Sequence, residues 1–368
     1  MRGAVHRFLP ALGGLLLIGW GASYLTRPAP SADATVLGTI AAFDAALADA
    51  WQPVATLIGD DLEGGRILAL DARSDTVVLA HPHAVSVLVG GHLVRRFGSD
   101  VVGAPEYIGR GAGIALTASG IALLDPSQHR VDFWRLDGTR TLRVALPSGD
   151  LGAQYGALTP LEDGVAVSAF RHGNNGLGWW IWRVVPPSDL DAVAPDATAR
   201  LDTLLARYAA GESGAAFRIP LLAPVDGGFV LLDALQGRLL SLDAAGRQLD
   251  STVRVDHPRF PVPEQSRQRV RSMSATMPDA IRRALELGEF APSARGITVT
   301  ADGRLLVHTA DLHDAAQVEL LTRDARPVGR LWDQAEDAQL FLVRGQVYRV
   351  REDAESYVID RLGLRAPR

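Results

Sequence analysis

From about residue 59 onward, short apolar runs alternate with polar breaks rich in Gly and Asp, and the breaks recur. Three stretches repeat one theme: Ile114–Gly138 (IALTASGIALLDPSQHRVDFWRLDG), Leu221–Gly246 (LLAPVDGGFVLLDALQGRLLSLDAAG) and Ile297–Asp324 (ITVTADGRLLVHTADLHDAAQVELLTRD). Each reads as strand, tight turn with Gly, strand, polar turn, strand ending in Asp, turn. Gly120, Gly227 and Gly303 occupy the first turn, where a positive φ costs Gly little. Asp125, Asp137, Asp233 and Asp243 mark strand ends and are suited to capping turn amides. Weaker copies lie in Gly65–Gly98, in Leu158–Phe170 with Gly164 at its turn, and in Leu340–Leu362, a final hairpin.

Repeats of roughly 40–50 residues carrying three or four strands predict small sheets that cannot bury both faces alone and so stack radially. Six such units fit between residues 59 and 364. The motifs x-D-G-φ-φ-φ and φ-φ-φ-D-x-x-G, with φ an apolar residue, resemble the six-bladed β-propellers of the NHL/TolB-like type, above all their divergent bacterial exported members. The resemblance covers about 300 residues and implies an all-β propeller. Five or seven blades, and a pair of β-sandwiches, are the alternatives.

Two insertions interrupt the repeat. Residues 185–214 (VVPPSDLDAVAPDATARLDTLLARYAAGESG, with flanks) predict a helix around Ala197–Ala210. Residues 256–296 open with HPRFPVPEQ and predict helical pieces at Gln265–Thr276 and Pro278–Gly288, the second with Asp279 as a cap. Insertions between blades are expected on one rim, where they either seal blade edges or meet partners.

The N-terminal pattern is different. Phe8–Leu25 (FLPALGGLLLIGWGASYL) has no formal charge and is bracketed by Arg7 and Arg27. As a helix it would span roughly 27 Å, near the hydrocarbon thickness. Phe8, Leu12, Leu16, Trp20 and Tyr24 are its anchor residues, and Trp20 and Tyr24 sit where amphipathic rings favour the headgroup level. Arg2 and Arg7 put the N-terminus in the cytoplasm and the rest outside. A cleaved leader with Ala32-Asp33-Ala34 as its site is the rival, but Trp20 and the two-sided Arg flank suit a retained single-pass anchor. The division is therefore residues 1–30 cytoplasmic end and membrane helix, 31–58 linker and amphipathic helix (Thr39–Trp51), and 59–368 extracytoplasmic propeller, in the periplasm of a bacterial inner membrane.

Composition narrows the chemistry. The chain has no Cys, so disulfides, thiolate metal sites and Cys nucleophiles are excluded. Every basic residue is Arg, which removes Schiff-base and P-loop lysine chemistry. Net charge is −5, and Arg2, Arg7 and Arg27 are the only formal charges in the first thirty residues. The remainder is thus more acidic still, a poor partner for nucleic acid. No metalloprotease, nucleophile-elbow, Walker or EF-hand motif is present.

The remaining polar clusters are weak. His81-Pro82-His83 puts two imidazoles on one side of an extended segment, with a surface turn as the ordinary reading. His308, Asp311 and His313, with Asp314, are the densest candidates for metal, but all in one unit. Trp179-Trp180-Ile181-Trp182 makes both faces of a strand apolar, so either the blades bury all four or Trp179, Trp180 or Trp182 meets a partner. Arg267, Arg271, Arg282 and Arg283 form a basic face that is either solvated or docks on an acidic surface or anionic headgroups. These patterns predict no cofactor and no catalytic residue. The expected role is an accessory or scaffold subunit, contacting the lipid bilayer and integral membrane subunits; electron-transport and photosynthetic assemblies are the host classes considered. The alternatives are a lactonase-like hydrolase or ligand sensor using the central channel, and a peptide- or sugar-binding module with an aromatic pocket at its mouth.

Overall fold

The computed structural model describes residues 51–362, apart from short stretches of the connections, of which 59–65, 148–152, 209–213, 215–219, 311–315 and 333–337 are the longest. The chain forms six four-stranded antiparallel sheets. The first blade is β2 (Ala69–Arg73), β3 (Thr76–Ala80), β4 (Val85–Val89) and β5 (His92–Phe97). The second is β6 (Gly113–Leu116), β7 (Ile121–Asp125), β8 (Arg130–Trp134) and β9 (Arg140–Ala145). The third is β10 (Ala153–Pro160), β11 (Val165–Gly173), β12 (Gly176–Val185) and β13 (Arg200–Tyr208). The fourth is β14 (Pro220–Val225), β15 (Gly228–Asp233), β16 (Arg238–Asp243) and β17 (Val253–Arg254), and the fifth β20 (Ala294–Val299), β21 (Leu305–Ala310), β22 (Ala316–Leu321) and β23 (Pro327–Trp332). Between them stands a two-stranded ribbon, β18 (Arg259–Pro261) with β19 (Phe290–Pro292). The sixth blade takes β24 (Ala338–Val343), β25 (Gln346–Asp353) and β26 (Ser356–Leu362) from the C-terminal end and β1 (Trp51–Ile58) as its outermost strand.

The first strands of successive blades lie against one another in the order β2, β6, β10, β14, β20, β24 and back to β2, so the sheets close into a ring. The all-β six-bladed propeller expected from the repeats is present. Its central strands read as unbroken apolar runs because each feeds two interfaces. In β7, Ile121 and Leu123 enter the core shared with the first blade, while Ala122 and Leu124 enter the core shared with the third. A side chain of this size, fully withdrawn from water, contributes about 1.5–3 kcal/mol. Gly120 makes the turn into β7 at φ +148°, and a Cβ there would collide with the Trp134 carbonyl oxygen.

The ring starts before the repeat does. Strand β1 pairs with β26 from Trp51↔Leu362 to Ile58↔Ser356, which closes the circle with strands from both ends of the chain. Trp51 is therefore in a strand and not at the end of the expected Thr39–Trp51 helix; the rest of that stretch, like the Phe8–Leu25 segment, lies outside the described residues. Among the described residues no helix is long and apolar enough to cross a membrane.

One expected helix is corrected. Arg200–Tyr208, inside the stretch expected to be helical, is strand β13, paired with β12 through Val185↔Arg200 and Trp179↔Tyr208. Leu204 is buried against the fourth blade, and the free edge of β12 outweighs the modest helix preference of Leu, Ala and Arg. Among the described residues, α-helix occurs only in the second of the two expected insertions. That insertion carries α1 (Glu264–Ser274) and α2 (Asp279–Ala284). Each helix starts directly after a proline, Pro263 or Pro278; Asp279 makes no cap but, as the first helical residue, pairs with Arg282 at 2.5 Å.

Candidate functional site

Strand order sorts the connections onto two faces. Turns from the second to the third strand of a blade, and connections from a fourth strand to the next blade, share one face. Turns from first to second and from third to fourth strands share the other. The first, the insertion face, gathers His81–His83, Pro126–His129, the end of β11 with the start of β12, and the helices α1 and α2. The second, the turn face, holds the short Gly turns and the described residues between β12 and β13. The expected 185–214 insertion is therefore split by β13: its start lies on the turn face, and Gly214, after the strand, lies on the insertion face beside Arg283. Trp51 also lies on the turn face, beside Leu362, so the chain enters the ring there.

On the insertion face α2 buries Ile281, Ala284 and Leu285 and packs on β12, and the Gly214 amide donates to the Arg283 carbonyl. Most of α1 stays exposed. Arg267 and Arg271 reach Glu264 at 2.6 and 3.8 Å, so the expected basic face is partly neutralised within its own helix. Arg283 is exposed.

Four of the ring's buried carboxylates, Asp71, Asp125, Asp132 and Asp360, are held by arginines. Asp71 of β2 accepts from the Leu116 amide (2.6 Å) and from Arg344 (3.0 and 3.2 Å), which ties the first, second and sixth blades at the seam. Burial pushes its carboxyl up, opposed by Arg344 and the amides. Asp125 accepts from Ser127 Oγ (2.6 Å) and the Gln128 amide, capping a single 3₁₀ turn, and lies 3.2 Å from Arg130. Asp132 sits between Arg130 (2.9 Å) and Arg143 (3.0 Å); burial raises its carboxyl against their pull. Asp360 is clasped by Arg349 and Arg351. Arginine's planar fork suits such double contacts.

An aromatic cluster occupies the insertion-face end of the interface between second and third blades. Tyr155, Ala169 and Trp180 stand side by side on three adjacent strands, through the pairs Tyr155↔Ala169 and Ala169↔Trp180. Arg171 lies one step further along β11 and lays its guanidinium over the rings of Trp180 (5.0 Å) and Trp182 (5.7 Å). From the second blade, His129 brings its ring to 5.7 Å from Tyr155. Leu146 and Pro147 cross above: the Leu146 amide donates to the His129 carbonyl, and Arg171 Nη1 to the Pro147 carbonyl.

The tryptophans expected as core or interface are mainly core. Trp179 is fully buried with Phe170 beside it, Trp182 is 2% exposed, and Trp180 is half-buried. His81 is buried, with Nε2 3.1 Å from Ser86 Oγ, and His83 Nδ1 lies 3.2 Å from the Ile108 carbonyl, so the two imidazoles serve separate local contacts. His308 has its Nε2 sealed from solvent; burial and Arg295 lower its pKa to about 4. Asp311, His313 and Asp314 lie outside the described residues. Among the described residues no group of three or more His, Asp or Glu is placed to hold a metal ion. The cluster as a whole is not legible in the sequence, because its members come from positions 129, 155, 171, 180 and 182; only the tryptophans stand out.

No protein-family model matches the chain, and no curated protein does. Solved structures match in fold. A putative exported protein of Bacteroides fragilis is 10% identical over 86% of this chain and 96% of that one, with a TM-score of 0.51. A streptogramin B lyase is 13% identical, over 81% and 93% of the two chains, with a TM-score of 0.42. The AfRom2 CNH domain is 9% identical over 83% of each, with a TM-score of 0.43. At these identities the likeness is one of fold: this chain is a six-bladed β-propeller.

Proposed function

We propose that the chain is an exported bacterial propeller of the NHL/TolB-like type that holds other proteins together, as a tethered accessory subunit of an inner-membrane complex. The observation that carries this reading is the use made of four of the buried acids. Asp71, Asp125, Asp132 and Asp360, from three different blades, are each bound to arginine. A hydrolytic site in the ring would need such groups free to take a proton or a metal. What the ring presents instead is surface.

Topology gives the reading a direction. The apolar segment Phe8–Leu25 precedes β1, and β1 begins on the turn face. A membrane helix there sets the turn face toward the bilayer and its integral subunits, with exposed Leu136, Leu201 and Val328 at that end. The insertion face, with Arg267, Arg271, Arg282 and Arg283, then looks away from the membrane and suits an acidic protein surface better than headgroups. The test is purification of the full chain from its native membranes in mild detergent. Integral membrane proteins co-purify in fixed ratio, and deletion of residues 1–30 ends their association and releases the propeller to the soluble fraction. A full-length protein that runs alone and hydrolyses lactones or esters with added divalent metal would establish the channel-hydrolase alternative.

A further inference from the structure

Four polar atoms in the cluster between second and third blades are buried and have no hydrogen-bond partner: His129 Nδ1, Tyr155 Oη, Arg171 Nε and Trp180 Nε1. Buried polar groups are almost always paired, so four together in one place call for an explanation. Three of the four are donors. Arg171 Nε–H and Trp180 Nε1–H are donors only. Burial pushes the Tyr155 phenol up, so it keeps its proton and is free to donate. Tyr155 is 9% exposed, whereas His129, Arg171 and Trp180 retain partial exposure, which brings the edge of the cluster to solvent.

We propose that these residues form a carboxylate-binding site on the insertion face. Three donors, one of them on the Arg171 guanidinium, lie in one cluster on adjacent strands, and an acceptor-only group would satisfy them. Arg171 is the cation of the cluster, and it already gives Nη1 to the Pro147 carbonyl. One positive charge matches a monoanionic carboxylate; a phosphate dianion would want more. The Trp180 and Trp182 rings, stacked 6.2 Å apart at 18°, fix Arg171 from beneath and leave it preorganised. The small Ala169 stands between Tyr155 and Trp180 on the middle strand of the three. This inference stands apart from the docking proposal, because it concerns the isolated chain and does not depend on the membrane complex.

The experiment is a calorimetric titration of the full-length protein in detergent micelles with three probes: benzoate, an N-acetylated tripeptide with a free C-terminus, and the same tripeptide amidated. Inorganic phosphate is the fourth arm. Either carboxylate binding, with the amide silent, supports the site, and the tighter of the two says whether the source is a small acid or a polypeptide terminus. Tyr155→Phe removes one donor while keeping the ring, and Trp180→Phe removes one while keeping an aromatic ring under Arg171, so the fold is retained and affinity falls about tenfold, as for a lost bond to a charged group. Arg171→Gln abolishes binding. Silence of both carboxylates, equal binding of the amide, tighter binding of phosphate, or affinities unchanged in Tyr155→Phe and Trp180→Phe would each overturn the proposal.

Discussion

His308 shows what a single misplaced-looking polar group costs and reports. It sits in β21, where Val318 opposes it and Leu306 shares its face, so the ring is held neutral down to about pH 4. In the unfolded chain the same imidazole takes a proton near its ordinary 6.5. Between those values the unfolded state binds more protons, so stability is intact above about 6.5 and falls as pH drops toward about 4. Urea unfolding of wild type and His308→Gln across this range should show the wild type losing stability relative to the variant as the pH falls. Parallel curves would mean that His308 is hydrated or paired in the fold. At this scale the sequence was partly legible. Asp125 and Asp243 were read as turn caps and are: Asp125 accepts from the Gln128 amide, Asp243 from the Ala245 and Arg247 amides. The arginines that hold Asp71 and Asp360 were not, because the partners lie far apart in sequence or across a hairpin whose register is visible only once folded.

Among the elements, the strands that alternate into two cores were the easiest to recognise. The β6–β8, β14–β16 and β20–β22 units stood out because a turn glycine and a terminal Asp recur in the same order around an apolar run. The outer strands were harder, since one of their faces meets water and their pattern weakens. Strand β13 reads locally as a helix, and β1 lacks the turn signature altogether: its partner, β26, is at the other end of the chain. That non-local pairing makes β1 a structural closure, not an appendage. Leu57 of β1 is 2% exposed in the core shared by the sixth and first blades. Leu57→Ala should therefore lower the unfolding free energy of the whole propeller by about 2–5 kcal/mol. The same loss should appear in denaturant curves followed by tryptophan fluorescence and by circular dichroism. A variant as stable as wild type would show that the ring closes without β1.

For the molecule as a whole, the ring has two unlike faces, and the path of the chain gives them different neighbours. The turn face receives the chain at Trp51, whereas the insertion face carries α1, α2 and the aromatic cluster. The repeats made the ring visible in the sequence; the two faces became visible only with strand order, which fixes the end at which each loop emerges. The account stands or falls on which face looks at the membrane. The direct measurement is photo-crosslinking in native membranes, with one probe at Leu136 on the turn face and another at Arg282 on the insertion face, each in the otherwise intact chain. The account predicts adducts with integral membrane subunits from Leu136 and none from Arg282. Adducts from Arg282 alone, or from neither position, would contradict it.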